Sequence, residues 1–213
     1  MIQATICIWF TIEVEHKKNK KITLAPDGLG REIAVIMPQE MLNKHYRLGG
    51  FIDDPLPKGT VVNSIEVAGN QEWLMQQAPA MAVIAVGNPQ IRKQLYEKLN
   101  QAGIVFPTII HPAAHLDSIK DIIIGEGTYI AAGCILTTNI NIGRSNLLLP
   151  ALSISHDTTT GDFCTLMPGV HISSGAVIGN NVLIGTAAII SKPINVLDNT
   201  IIPPWAIVPN VTA

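Results

Sequence analysis

An aliphatic side chain returns at every sixth position along the C-terminal half of this 213-residue chain, without a single insertion. Four residues after each of these stands a small or medium-sized side chain. A helix repeats every 3.6 residues and a strand every 2, whereas a constant period of six is typical of a parallel β-helix built from short strands and turns. The aliphatic series is Ile124, Ile130, Leu136, Ile142, Leu148, Ile154, Leu166, Ile172, Ile178, Ile184, Ile190, Val196, Ile202 and Val208, with Thr160 as its one exception.

The repeat also predicts how the coils are built. Three hexads make one triangular coil of eighteen residues, so residues 124–213 predict five coils. At a strand spacing of about 4.8 Å the stack would be roughly 24 Å tall. Counted from the aliphatic residue, positions one and five of each hexad are expected to point into the coil, and position three is expected outside, near a corner.

The N-terminal half alternates predicted strands with predicted helices, which is the pattern of a small doubly wound α/β domain. We expect a Rossmann-like domain over residues 19–107 and an all-β domain, the parallel β-helix, over residues 108–213, with residues 108–123 leading into the repeat. Residues 1–18 are expected to be a leader or an extra edge strand. The predicted strands are 20–25, a segment that ends before Asp53, and 81–86, and the predicted helices are 31–36, 71–77 and 90–102.

Composition narrows the possible partners and the compartment. The net charge is −2 and only 14% of the residues are charged, which disfavours nucleic acid or a membrane surface as a partner and suggests buried subunit contacts. Residues 1–10 are apolar, but they are too few to span a bilayer and lack the basic start of a signal peptide. The three cysteines show no metal-ligand spacing, and Cys134 and Cys164 fall at inward positions. We therefore expect no metal, no disulfide and a cytoplasmic location.

His156 is the leading catalytic candidate because of its place in the repeat. It occupies position three of the hexad that begins at Ile154, so its side chain is expected outside the coil rather than in the core. Asp157 follows directly, and a nearby carboxylate can orient an imidazole and support its protonated form. The residues alone leave two alternatives, a general base and an ordinary surface histidine.

Two loops of the α/β half are candidate binding sites. Gly28-Leu29-Gly30-Arg31 follows the first predicted strand, where backbone N–H groups at a helix N-terminus could bind a phosphate, although a tight turn would equally explain the glycines. Asp53 and Asp54 follow the second strand, at the edge where open α/β sheets bind ligands. A solvated turn before Pro55 is the equal alternative for this pair.

Arg92 and three histidines are weaker candidates. Arg92 lies in the first turn of its predicted helix, where it could pair with a phosphate or a carboxylate, but a surface ion pair is the simpler explanation. We expect His111, His115 and His171 to be structural or surface residues.

Several motifs, in this order ahead of a hexapeptide coil, resemble the bacterial sugar acetyltransferases typified by sialic-acid O-acetyltransferases and UDP-amino-sugar N-acetyltransferases. The resemblance covers about residues 20–213. It rests on Gly28-Leu29-Gly30-Arg31-Glu32, Gly50-Phe51-Ile52-Asp53-Asp54, the strand at 83–88 with Arg92, Ile110-His111-Pro112, and Ser155-His156-Asp157 followed by Gly161-Asp162-Phe163.

The resemblance implies an enzyme, an acyltransferase that uses acetyl-CoA as co-substrate and a sugar or nucleotide sugar as acceptor. His156 would be the general base that takes a proton from the acceptor's amine or hydroxyl, with Asp157 beside it. A backbone N–H near Ser174 and Gly175 would then meet the oxyanion formed from the thioester.

The resemblance also implies the wider setting of the reaction. The protein would be a homotrimer of left-handed β-helices, with acetyl-CoA in the cleft between neighbouring coils and with Thr186 and Pro204 lining the coenzyme A channel. Residues 28–31 and Asp53-Asp54 would hold the acceptor. The pathway would be surface-polysaccharide biosynthesis in the cytoplasm, without membrane insertion.

Three positions depart from the usual pattern of these acetyltransferases. Leu29 stands where a histidine is often found, Leu149 where an asparagine commonly precedes the catalytic histidine, and Thr165 where a further histidine usually follows it. These departures keep a second hypothesis open, a catalytically degenerate trimeric scaffold without transferase activity. The presence of His156 and Asp157 favours the enzyme.

Overall fold

A computed structural model describes residues 20–24, 28–40, 46–117 and 119–208 of the chain. Two compact units are present, one within residues 1–87 and 94–107 and the other within residues 88–93 and 108–213. The predicted leader or extra strand at residues 1–18 lies outside the described residues. Within the described ranges, no helix has the length and apolar character that crossing a membrane requires.

The first unit contains a parallel sheet that ends in a hairpin. Its sheet order is β1-β2-β4-β3, in which β1, β2 and β4 run parallel and β3 is an antiparallel edge strand. Asn63 and Ser64 form the two-residue turn between β3 and β4, and both have positive φ, as the favoured hairpin turns require. The elements are β1 (Lys20–Leu24), α1 (Gly28–Glu40), β2 (Tyr46–Ile52), β3 (Val61–Val62), β4 (Ile65–Gly69) and α2 (Gln71–Gln76).

The strand predicted at residues 81–86 is shorter than expected. Only β5 (Ala80–Met81) pairs as a strand, parallel to β6 (Ile104–Val105), and the Ala82 N–H extends the pairing by one bond to the Val105 carbonyl. The remainder of the apolar run is buried, as its sequence indicates. Pro107 follows β6 by two residues and has no backbone N–H to donate, so β6 cannot extend its pairing with the 81–86 segment much further.

Helix α3 (Pro89–Gln101) matches the predicted helix at 90–102 closely. The Asn88 side chain accepts a hydrogen bond from the Ile91 N–H at 3.0 Å, and Pro89 follows as the first helical residue, where its missing N–H costs nothing. In the first unit, Leu95 and Leu99 are buried, as the helical spacing predicts.

The second unit is a triangular coil made of three parallel sheets. Its first sheet contains β7 (Ile109–Ile110), β10 (Tyr129–Ile130), β13 (Leu147–Leu148), β16 (Thr165–Leu166), β19 (Leu183–Ile184) and β22 (Ile201–Ile202). The second contains β8 (His115–Leu116), β11 (Ile135–Leu136), β14 (Ser153–Ile154), β17 (His171–Ile172), β20 (Ile189–Ile190) and β23 (Ile207–Val208). The third contains β9 (Ile122–Ile124), β12 (Ile140–Ile142), β15 (Thr159–Thr160), β18 (Val177–Ile178) and β21 (Asn195–Val196).

The register confirms the eighteen-residue coil. Tyr129 pairs with Leu147, which in turn pairs with Thr165, and the same spacing continues through the upper coils. Position one is buried along the series except at its two ends, and Thr160, the exception to the aliphatic pattern, is also buried. Hydrophobic stacking of identical positions therefore holds the coils together.

The coil begins earlier than the repeat indicates. Residues 108–123 do not simply lead into it, because β7, β8 and β9 already form a complete first coil. Tyr129 pairs with Ile109 and Ile135 with His115, so this coil holds two residues more than the others. A 3₁₀ turn at Ile119–Asp121 lies in the enlarged corner and breaks the six-residue period.

Candidate active site

His156 lies on the corner of the coil between the second and third sheets, which we call the His156 corner. Strand β14 ends at Ile154 and β15 begins at Thr159, so His156 and Asp157 occupy the turn between them. Asp157 has φ of 60°, a conformation that aspartate tolerates and that recurs at position four of most hexads. The Asp157 N–H donates to the Thr138 carbonyl in the coil below. The repeat itself therefore fixes the backbone that carries the pair.

The side chains of His156 and Asp157 contact each other directly. His156 Nδ1 is 2.6 Å from Asp157 Oδ2, and Asn139 donates its side-chain N–H to Asp157 Oδ1 at 3.1 Å. Both side chains of the pair are more than half exposed. Hydrogen bonds from His156 and then Asn139 lower the pKa of Asp157 below its ordinary value, so the carboxylate persists through the range in which histidines titrate.

This arrangement suits proton transfer. With Nδ1 held by the carboxylate, Nε2 is the ring nitrogen left to meet a substrate, and within the described ranges no group of the chain bonds to it. A carboxylate on Nδ1 fixes the orientation of the imidazole and stabilises it when it gains a proton. The spacing of Asn139, eighteen residues before Asp157, could have predicted its contribution, since it occupies the same corner one coil below.

The two predicted oxyanion donors differ in their availability. The Gly175 N–H donates to the His156 carbonyl at 3.0 Å, and the Ser173 N–H donates to the Ile190 carbonyl at 2.9 Å. The N–H of Ser174, directly above His156 on the same corner, has no acceptor in the described part of the chain. Gly175 therefore supports the corner, and Ser174 is the donor that remains open.

Thr186 and Pro204 lie on a different corner. They are eighteen residues apart and stand one above the other between the first and second sheets, where the Trp205 N–H donates to the Thr186 carbonyl at 2.9 Å. Within one chain they therefore do not share a corner with His156.

The candidate binding residues of the first unit lie at one edge of its sheet. Since β1, β2 and β4 are parallel, Gly28-Leu29-Gly30-Arg31, Asp53-Asp54 and Asn70 all follow the carboxyl ends of strands. Residues 28–31 form the first turn of α1, in which Gly28 and Arg31 are exposed, Leu29 is half-buried and Gly30 is buried.

Asp53 and Asp54 have different surroundings. Asp53 is buried, and its Oδ1 accepts the Leu56 N–H at 2.7 Å, so it closes the turn that was one of the two sequence alternatives. Asp54 accepts from Gln71 with both oxygens, at 2.9 Å from the backbone N–H and 2.6 Å from the side-chain amide. Asp54 lines an open cleft.

That cleft was not predicted from the sequence. It has a volume of about 360 Å³, within the ~300–1,000 Å³ typical of ligand sites, and is lined by Asp54, Pro55, Leu56, Pro57, Lys58, Gly69, Asn70 and Trp73. The Lys58 ammonium lies 5.5 Å from the centre of the Trp73 ring. Trp73 packs so closely on Gly69 that a Cβ there would lie 2.8 Å from the indole, so the glycine is what allows the ring its position. The sequence signal that could have predicted this cleft is Trp73, an aromatic residue four positions after the carboxyl end of β4.

Comparison with known proteins then decides the family. Residues 28–99 match the PglD N-terminal domain, and residues 157–192 match the bacterial transferase hexapeptide (six repeats). The chain is 31% identical over 169 residues to the GDP-perosamine N-acetyltransferase of Escherichia coli O157:H7, covering 76% of this chain and 74% of that protein. The chain belongs to the hexapeptide-repeat family of bacterial sugar acetyltransferases.

Two further relatives agree with this assignment. The UDP-N-acetylbacillosamine N-acetyltransferase of Bacillus subtilis (strain 168) is 35% identical over 126 residues, covering 53% of this chain and 52% of that protein. The acetyltransferase domain of PglB from Neisseria gonorrhoeae FA1090, solved in complex with acetyl coenzyme A, superposes with a TM-score of 0.76 at 25% identity, covering 88% of this chain and 89% of that one. The predicted family, the predicted α/β domain with a left-handed β-helix, and the predicted acyltransferase class are confirmed.

In this acetyltransferase, Arg92 has neither of the roles proposed from its sequence position. It is fully buried, and its guanidinium donates to the carbonyls of Ser145, Phe163 and Cys164 and to the hydroxyl of Thr165, at 2.7–2.9 Å. Burial lowers the pKa of Arg92 to about 9, which leaves it charged at neutral pH. The arginine fastens the first turn of α3 to the coil instead of binding a ligand.

Two of the residues that depart from the family pattern are buried. Thr165, where a histidine is usual, is buried beneath Arg92 and accepts its hydrogen bond at 2.9 Å. Leu149, where an asparagine is common, is buried as well. Neither side chain contributes a polar group to the exposed His156 corner.

The remaining histidines pair locally. His111 Nδ1 accepts the Ala113 N–H at 2.9 Å, His115 lies 2.5 Å from Asp117, and His171 lies 2.8 Å from the Ser153 hydroxyl. In the ranges that the structure describes, no three histidine, cysteine or acidic side chains gather as metal ligands would.

Proposed function

We propose that this protein transfers the acetyl group of acetyl-CoA to the amino group of a nucleotide-linked amino sugar. The observation that carries the proposal is the exposed contact between His156 and Asp157, held on the coil by Asn139. The named relatives supply the substrate class, since two of them are N-acetyltransferases of GDP- or UDP-linked sugars and a third was solved with acetyl coenzyme A.

The reaction needs one base and one oxyanion donor. Nε2 of His156 takes a proton from the acceptor's amine as its nitrogen attacks the thioester carbonyl. The Ser174 N–H donates to the oxygen that becomes negative in the tetrahedral intermediate. Collapse of the intermediate breaks the C–S bond, and the departing thiolate takes the proton from the imidazolium. The carboxylate of Asp157 stabilises that imidazolium without accepting its proton.

We infer that the enzyme is a homotrimer from the corners on which its candidate residues lie. His156 and Ser174 share one corner, whereas Thr186 and Pro204 share another. If all four contact one donor molecule, two chains must each contribute a corner. Repetition of this contact around a threefold axis gives a closed assembly.

We assign the nucleotide part of the acceptor to the cleft beside Trp73 and Asp54. The indole of half-buried Trp73, where it lines the cleft, can stack on a nucleobase, and Lys58 can approach a phosphate. Gly28-Leu29-Gly30-Arg31, at the same edge of the sheet, stays the proposed site for the remainder of the acceptor. The pathway proposed for the product is surface-polysaccharide biosynthesis in the cytoplasm. Free, buried Cys134 and Cys164 support a reducing compartment.

Replacement of Trp73 by alanine is expected to raise the KM for the nucleotide sugar roughly tenfold, because a base stacked on an aromatic ring gains about 1–3 kcal/mol. The kcat at saturating acceptor should stay near the wild-type value, and Trp73→Phe should recover most of the affinity. Steady-state kinetics with the acceptor varied would measure this. An unchanged KM in Trp73→Ala would remove the cleft from acceptor binding.

The proposed reaction is tested by free-thiol release from acetyl-CoA, with UDP- and GDP-linked amino sugars and sialic acids as acceptors. Acceptor-dependent release, with N-acetylated product identified by mass spectrometry, is the expected result. Thiol release only with hydroxyl acceptors would mean that an oxygen, and not a nitrogen, receives the acetyl group. Absence of release from every acceptor, together with absence of acetyl-CoA binding, would contradict the proposal.

A further inference from the structure

The upper coils of this protein carry almost no positive charge. After Arg144 the sequence contains a single lysine or arginine, Lys192. Arg144 itself is engaged by Asp162, which accepts from its Nε at 3.0 Å and from its Nη2 at 2.7 Å. Lys192 is exposed, and in the described residues no hydrogen bond or ion pair engages its ammonium.

Lys192 lies on the His156 corner, directly in line with the proposed chemistry. It follows His156 by 36 residues, which is two coils, and Ser174 stands between them one coil above His156. At about 4.8 Å per coil, its backbone is roughly 10 Å from that of His156 along the coil axis. Pro193 follows directly and biases the backbone of Lys192 away from helical conformations.

Charge decides in which direction an anionic donor extends from the thioester. Below His156, the same corner holds Asp157 and then the first coil's exposed Asp117, Lys120 and Asp121, which together are acidic. Above it come the neutral Ser174 and then Lys192. Coenzyme A carries phosphate esters, so the upward direction places them at the cation and away from the carboxylates.

The length of the donor is compatible with this placement. The pantetheine arm between thioester and diphosphate is about as long as four amino-acid residues, or roughly 13 Å when extended. Two coils and a lysine side chain cover that distance. The Ser174 N–H, the proposed donor to the thioester oxygen, lies one coil above His156 and favours the same upward course.

We propose that Lys192 binds the phosphate groups of the acyl-CoA donor and so sets the direction in which the donor lies along the His156 corner. This inference rests on the proposed function for the identity of the donor. The shared chemistry is a phosphate ester, supplied by either the diphosphate or the 3′-phosphate of coenzyme A.

The test compares Lys192→Ala with Lys120→Ala, a matched lysine on the same corner two coils below His156. Calorimetry would measure the binding of coenzyme A to the whole chain. Steady-state kinetics would give KM and kcat with acetyl-CoA and with acetyl-pantetheine, which lacks the nucleotide. Lys192→Ala should weaken coenzyme A binding and raise the acetyl-CoA KM about tenfold, with kcat little changed. It should not alter the kinetics with acetyl-pantetheine, and Lys120→Ala should behave as wild type.

The outcomes separate this inference from the proposed function. Coenzyme A binding that depends on Lys192, without turnover of any acceptor, would support the lysine's role while contradicting the proposed reaction. Normal turnover with equal KM in Lys192→Ala would overturn the role of Lys192 alone, as would an equal loss in Lys120→Ala. Absence of coenzyme A binding by the wild type would overturn both. Parallel binding of 3′-dephospho-coenzyme A identifies which phosphate the lysine meets.

Discussion

Replacement of His156 by alanine should lower kcat by a factor on the order of 10² to 10⁴, because a positioned general base contributes about that much to proton transfer. The KM for either substrate should change little, since the imidazole acts chiefly in the transition state. The side chain is more than half exposed, so its removal leaves no cavity and the free energy of unfolding should stay within about 0.5 kcal/mol of wild type. Steady-state thiol release and urea unfolding would measure the two effects.

A second histidine–aspartate pair, on the same β-helix but two coils below His156, provides the control. His115 is exposed and its Nε2 lies 2.5 Å from Asp117, so the first coil holds an exposed histidine–carboxylate pair that is joined through the opposite ring nitrogen from that of His156. We expect His115→Ala to retain the wild-type kcat, because His115 is not close to Ser174. This result would show that a histidine paired with an aspartate is not catalytic merely because it has that partner. Asp157→Asn should retain the fold and give a kcat between those of wild type and His156→Ala. Wild-type turnover in His156→Ala would assign the base to another group.

The repeat made much of this fold predictable, and the errors have physical causes. A hexad period fixes which side chains point inward, so the burial of Cys134, Thr160 and Cys164 and the exposure of His156 follow from arithmetic. The first coil was missed because two extra residues near the 3₁₀ turn at Ile119–Asp121 break the period while preserving the strand pairing. A search for a fixed period finds only evenly spaced residues. A coil of the β-helix forms wherever its strands align with those of the next coil, even if a corner holds extra residues.

The α/β unit was less predictable because its decisive contacts are not periodic. Trp73 and Lys58 meet only through the hairpin and the turn after Asp54, which no local pattern specifies. Arg92 resembled a ligand-binding arginine from its place at a helix start, yet its hydrogen-bond acceptors lie 53 to 73 residues away. A sequence pattern shows on which helix or strand a charged residue lies, but it does not show which groups surround the side chain after folding.

Replacement of Arg92 by methionine should lower the free energy of unfolding by about 2–6 kcal/mol. Methionine keeps part of the apolar stem but removes the donors to the Ser145 and Phe163 carbonyls, and each buried polar group left unsatisfied costs about 1–3 kcal/mol. The Cys164 carbonyl should suffer less, because it also accepts the Leu147 N–H at 2.9 Å. Urea and thermal unfolding of the full chain would measure the loss.

Two comparison variants separate the buried hydrogen bonds from general effects on helix α3. Gln90→Met changes an exposed residue in the same first turn, and it should shift the unfolding free energy by no more than about 0.5 kcal/mol. Arg92→Lys keeps the charge but lacks the planar fork that reaches several carbonyls at once, so its stability should fall between wild type and Arg92→Met. If Arg92→Met unfolds as wild type does, water must replace the guanidinium at these carbonyls, and the arginine does not fasten the first turn of α3 to the coil.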